Sequence, residues 1–151
     1  MVWGLFYLFA GGSALGEILS ETGTAKFVAD LLIPFAGGGG FRAILIFSFM
    51  TMVITQITSN TAAIAIMVPI TISTFQRLGL NPVPFVYIVA VTGNCGFMLP
   101  SSAGGPAVAA GYGVNLKTMF SGGLLLAALL WSVIVIVGYL LATYWRGFGI
   151  A

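Results

Sequence analysis

Thr55-Gln56-Ile57-Thr58-Ser59-Asn60-Thr61 is a run of small polar residues that carries no charge. The Thr55 hydroxyl, the Asn60 amide oxygen and the main-chain carbonyls of Thr58 and Ser102 are hard oxygen donors, suited to Na+ rather than to zinc or copper. A second interruption covers residues 93–106. There Gly93-Asn94-Cys95-Gly96 loosens an apolar run, and Pro100-Ser101-Ser102-Ala103-Gly104-Gly105-Pro106 breaks it. A helix that restarts after such a break presents unpartnered N–H groups and partial positive charge, which favour an anion. Starts are expected at Ala62, after Thr61, and at Ala107, after Pro106. Two interruptions in one chain read as the halves of a single binding site.

What the two stretches lack narrows the chemistry further. No Asp, Glu, His, Lys or Arg lies between Arg42 and Arg77, or between Arg77 and Lys117. A proton relay therefore has no carrier, and general acid–base catalysis lacks its usual groups, so the chain does not read as an enzyme. Neutral groups hold an anion only when its charge is offset. A co-bound Na+ would offset it, which makes Na+ the expected coupling ion, with no organic cofactor. The competing reading of Ser59-Asn60-Thr61 is a polar tip that satisfies its own backbone, or one that hydrogen-bonds a neighbouring helix for ~0.6–2 kcal/mol. Met50, Met52, Met67, Met98 and Cys95 read as packing residues.

The elements that must hold these groups are membrane elements. Of the 151 residues, 60% are hydrophobic and 5% charged, against about 25% charged in a soluble domain. An ordinary cytosolic protein is excluded. The net charge of +2 is too small and scattered for a nucleic-acid surface; a lipid bilayer and a small anionic solute are the expected partners. The chain reads as an all-α membrane protein with one membrane domain over 1–151. It begins with a membrane helix over 2–19, with Glu17 at its interfacial end. An amphipathic interfacial helix over 24–36 follows, with Lys26 and Asp30 as an i,i+4 pair. A re-entrant helical hairpin spans 41–77, its arms each shorter than the ~20 residues of a comfortable span. A broken transmembrane helix over 83–116 and a last membrane helix over 118–146 complete the chain, the last with Tyr139, Tyr144, Trp145 and Arg146 as its girdle. Irregular backbone survives at membrane depth only where it is buried or lines a wet cavity.

Three features occur in a specific order: Thr55-x-x-x-Ser59-Asn60-Thr61, the turn Gly79-x-x-Pro82, and Cys95-Gly96-Phe97-Met98-Leu99-Pro100. Together they resemble the divalent anion:sodium symporter family, the sodium-coupled dicarboxylate, citrate and sulfate carriers. The resemblance covers nearly the whole chain, but only the C-terminal half of such a carrier. It implies two inverted repeats, each with a re-entrant hairpin and a broken helix, working as a dimer by an elevator-like movement in the cell (plasma or inner) membrane. Carried over, Ser59, Asn60 and Thr61 would contact a substrate carboxylate, with Ala103 and Gly104 beside them. Thr55, Thr58, Asn60 and Ser102 would form one sodium site. Where the family usually has a Thr-Pro-Pro-Asn-like run, this chain has Ala103-Gly104-Gly105-Pro106. The expected function is secondary transport of a di- or tricarboxylate or sulfate with Na+, completed by a homo-oligomer or by a separate N-terminal repeat. An anion channel, or a non-transporting subunit that completes a separate N-terminal half, are the alternatives.

Overall fold

The computed structural model describes residues 10, 11, 14, 17–19, 21–37 and 39–144. Among these residues the regular structure is entirely helical. Of the helix expected over 2–19, residues 10, 11, 14 and 17–19 are helical, and the remainder lies outside the described residues. Helices with defined bounds are α1 (Thr24–Ala36), α2 (Phe41–Ile57), α3 (Asn60–Arg77), α4 (Val83–Thr92), α5 (Gly104–Gly111) and α6 (Leu116–Tyr144).

Only Thr58 and Ser59 separate α2 from α3, and both are extended, at φ −108°, ψ 176° and φ −69°, ψ 148°. The two arms fold back on one another. Phe47 of α2 and Phe75 of α3 lie on opposite sides of the break, yet their ring centroids are 5.2 Å apart. Phe75 in turn stacks on Phe85 of α4, at 3.5 Å and nearly parallel. With Ile44, Met67 and Val89 these rings form the buried centre of the molecule. In a bilayer, lipid tails are as apolar as these side chains, so the centre is held by shape-matched dispersion contacts rather than by escape from water.

α1 packs across α2 and α3. It turns its small residues inward: Ala25, Ala29 and Ala36 are buried, while Phe27, Leu31 and Phe35, spaced i, i+4, i+8, are exposed. That outward apolar stripe suits an interfacial helix whose bulk faces acyl chains. The expected partner of Asp30 is not the one found. Asp30 pairs with Arg77 at the end of α3, instead of with Lys26 one turn away. Packing of α1 against α3 places a guanidinium within reach, and its fixed fork of donors matches a carboxylate better than a flexible ammonium does. Both partners are substantially exposed, at 40% and 56%. Asp30→Asn should therefore cost no more than about 1 kcal/mol of stability, seen as a small drop in melting temperature that shrinks further in salt.

α6 is 29 residues long and, among the described residues, the one helix long and apolar enough to cross a membrane. At ~1.5 Å per residue it measures about 43 Å, more than the ~30 Å of a hydrocarbon core. It starts at Leu116 rather than at 118 because the Asn115 side-chain oxygen accepts from the Lys117 N–H at 2.9 Å, a local cap. Its attachment to α2 is polar and specific: Trp131 Nε1 donates to Ser48 Oγ at 2.9 Å, with Phe49 edge-on to the indole at 5.7 Å. Trp145 and Arg146 lie outside the described residues.

Candidate functional site

Threonine is abundant in the packed interior, and the hydrogen bonds sort its members. Thr51, Thr71, Thr74 and Thr92 are fully buried. Each returns its hydroxyl proton to the carbonyl four residues earlier, at 2.7–2.8 Å. They are satisfied inside their own helices and present nothing to a ligand. Thr55 breaks the pattern. Its hydroxyl leaves α2 and lies 2.6 Å from the Gly93 carbonyl and 2.8 Å from the Asn60 carboxamide oxygen.

Asn60, the first residue of α3, is the meeting point. Its main-chain N–H donates to the Ser102 carbonyl at 3.0 Å, which docks the tip of the α2–α3 hairpin onto the unwound stretch between α4 and α5. Its carboxamide then faces acceptors alone: Ser102 O at 3.0 Å, Gly93 O at 3.3 Å and Thr55 Oγ1 at 2.8 Å. With the nitrogen turned inward the carboxamide donates to all three. With the oxygen inward, it faces the Gly93 and Ser102 carbonyls with the Thr55 hydroxyl as its one donor, a contact between oxygens that a cation would relieve. An oxygen cluster of this composition fits a hard monovalent cation.

The approach is close enough to demand glycine. A Cβ at Gly96 would lie 2.9 Å from Ser102 Cβ and 2.9 Å from the Thr55 carbonyl, and would run into the Asn60 carboxamide. Only a residue without a side chain lets the tip and the stretch meet here.

Beside the cluster, two helices begin. α3 starts at Asn60 and not at Ala62: Ser59 is its N-cap, and Ser59 Oγ accepts from the Ala62 N–H at 3.3 Å. α5 starts at Gly104 and not at Ala107. Pro106 is inside its first turn, where a missing N–H costs nothing, and Ala103 caps it without a side-chain bond. Ala103 directly follows Ser102, so the N-terminal end of α5 begins one residue from the atom that binds Asn60. Among the described residues, the N–H groups of Thr61, Gly104 and Gly105 have no partner at these ends. They are three donors at the positive ends of two helices.

Of the residues singled out by sequence, Thr55, Ser59, Asn60, Thr61, Ser102, Ala103 and Gly104 are thus brought to one place. Thr58 is adjacent: its hydroxyl goes to the Ile54 carbonyl at 3.0 Å, which leaves its main-chain carbonyl as the oxygen it can offer. The Gly93 carbonyl takes part as well, and a main-chain atom leaves no trace in side-chain spacing. Gln56 was also missed. It is buried beside Thr55, its Nε2 donates to the Cys95 carbonyl at 2.7 Å, and its Oε1 accepts from the N–H groups of Phe97 and Met98 at 3.1 and 3.2 Å.

Comparison with known proteins shows the family to which the chain belongs. The citrate transporter family profile matches residues 1–150. An uncharacterized transporter of Haemophilus influenzae is 35% identical over 140 residues, covering 91% of this chain and 30% of the relative. A sodium-dependent dicarboxylate transporter, SdcS, of Staphylococcus saprophyticus is 32% identical over 140 residues, with 92% and 27% covered. The SdcS of Staphylococcus aureus strain USA300 is 30% identical over 138 residues, with 91% and 26% covered. The chain spans about 30% or less of the length of these relatives. On the strength of the profile match along almost its whole length, the chain belongs to the citrate transporter family, a family of membrane transporters and not of enzymes.

Proposed function

We propose that this chain supplies one inverted-repeat half of a secondary transporter, which moves a di- or tricarboxylate or sulfate anion with Na+ across the cell membrane by an elevator-like displacement. Residues 41–77 form the re-entrant hairpin, its tip at membrane depth, and 83–116 the broken helix. The remaining part of the site comes from a partner repeat, in the same longer protein or in a second copy of the chain. One observation carries the reading: at the hairpin tip the Asn60 carboxamide meets the Thr55 hydroxyl and, on the unwound stretch, the Gly93 and Ser102 carbonyls at 2.8–3.3 Å, a junction that its own nitrogen or a cation held by its oxygen can fill.

In this reading Thr55, Asn60 and Ser102, with the carbonyls of Gly93 and Thr58, surround Na+. Ser59, Asn60, Thr61, Ala103 and Gly104 face the anion, through hydroxyls and the open N–H groups of two helix starts. The elements are shared, so the two ligands assist one another. A cation in the cluster offsets the anion's charge, and it holds the Asn60 carboxamide oxygen-inward, which turns the amide N–H donors toward the solute side. Without the cation the amide nitrogen takes its place, and the anion meets an uncompensated site. The names of the SdcS relatives support Na+ and a dicarboxylate as the pair.

The test is uptake of labelled succinate and citrate into proteoliposomes holding the protein, with an inward Na+ gradient and with choline in its place. Saturable uptake that collapses in choline is expected. Uptake equal in both, or a current linear in voltage that does not saturate with solute, would refute the coupled-carrier reading.

A further inference from the structure

Unwound backbone at membrane depth must have its polar groups met by protein. Residues 95–98 have lost their helix partners, and one side chain answers three of them. Gln56 gives a proton to the Cys95 carbonyl and takes two from Phe97 and Met98. A carboxamide is the side-chain group that offers a donor and an acceptor side by side, as a peptide does. From the other side α6 closes in: a Cβ at Gly123 would lie 2.8 Å from Met98 Cα. Thr55 and Gln56, consecutive in α2, thus hold Gly93 and residues 95–98 respectively.

We infer that Gln56 is a positioning residue: its carboxamide clasps the unwound 95–98 segment to the hairpin, so that the oxygens on the two sides of the cation cluster keep one spacing. The clasp itself is a statement about packing. Its effect on Na+ rests on the proposed carrier reading. The hydrogen-bonding pattern, rather than the volume of the side chain, is what the clasp uses. Gln56→Met fills nearly the same space with no hydrogen-bonding pair. Gln56→Glu reproduces the pair only when protonated, with its O–H toward the Cys95 carbonyl. Ionised, it sets a carboxylate against that carbonyl.

The chain carries its own reporter. Cys95 is its single cysteine, it is 4% exposed, and it sits inside the clasped segment. Its labelling by a small membrane-permeant methanethiosulfonate reads opening of the segment whether or not anything is transported. Gln56→Met should speed labelling about tenfold and raise the half-saturating Na+ for uptake by a similar factor, as expected when buried backbone groups lose their partner. Gln56→Glu, normalised to the unmodified protein at each pH, should behave like Gln56 near pH 5 and like Met near pH 8. The titratable groups on the elements packed against α2 are the Cys95 thiol on the clasped segment, Lys117, Tyr139 and Tyr144 on α6, Tyr87 on α4, Arg77 on α3, and Lys26 and Asp30 on α1, with Arg42 on α2 itself. All are present in the unmodified protein, so the normalisation removes them.

Labelling and Na+ dependence in Gln56→Met that match the unmodified protein would overturn the clasp, as would a Gln56→Glu profile with no pH dependence. Faster labelling in the variants, together with uptake by the unmodified protein that ignores Na+, would uphold the clasp and bring down the carrier reading instead.

Discussion

Asn60→Ala should lower Na+-driven uptake at least about 100-fold while the protein inserts and keeps its helices. The main-chain N–H of residue 60 still reaches the Ser102 carbonyl, so the tip stays docked. What disappears is the carboxamide, and with it the one group that can neutralise the cluster by its nitrogen or complete it by its oxygen. The Ser102 and Gly93 carbonyls keep the residue-60 main-chain N–H and the Thr55 hydroxyl as partners, so the fold is little disturbed. The proposed cation loses a ligand, and a polar contact to a charge is worth ~1.5–3 kcal/mol. Because ~1.4 kcal/mol is a factor of ten, a loss of two decades lies inside that range. Circular dichroism and melting temperature establish that the variant is folded, and a Na+ titration of uptake gives the size of the effect. A variant that retains uptake with an unchanged Na+ requirement contradicts the assignment of Asn60.

Gly96→Ala should be nearly as damaging, for a steric reason. The added methyl has nowhere to go: Ser102 Cβ and the Thr55 carbonyl are both 2.9 Å from it, and both belong to packed backbone segments rather than to mobile side chains. Overpacking of this kind costs ~1–3 kcal/mol and occasionally more. Relief comes only by parting the hairpin tip from the unwound stretch, which spreads the oxygen cluster. Uptake should fall roughly 10- to 100-fold, and the melting temperature should fall with it. Gly111→Ala is the matching control. A Cβ there meets nothing within 4 Å, so neither stability nor uptake should drop. Equal behaviour of the two variants would show that the tip and the stretch do not depend on close contact at Gly96.

The hairpin arms were legible in the sequence because two long apolar runs flank a compact polar break. The break at 93–103 was legible because glycine and proline cluster there. Helix starts were less so. The start at Asn60 carried a usable signal, since Ser59 is a good N-cap residue followed by a helical run; the start at Gly104 was obscured by Pro106, which reads as a stop and in fact sits harmlessly in a first turn. Asp30 was assigned to Lys26 because i,i+4 spacing is visible along one helix, while Arg77 arrives only once α1 has docked on α3. Gln56 and the Gly93 carbonyl could not have been found by spacing. Their partners lie some forty residues away, and the contacts exist only because the tip packs into the stretch. The difference between Thr51 and Thr55 has the same origin. They sit four residues apart on the same helix, and the arrival of Gly93 turns the second hydroxyl outward.

The central claim is that cation and anion share one junction, and reciprocal binding tests it most directly. Na+ affinity should be measured by isothermal titration on the purified protein, with and without saturating succinate, and succinate affinity with and without saturating Na+. The account predicts that each ligand tightens the other, and by the same factor, because the coupling free energy belongs to the pair. Affinities for Na+ and succinate that ignore one another would contradict it.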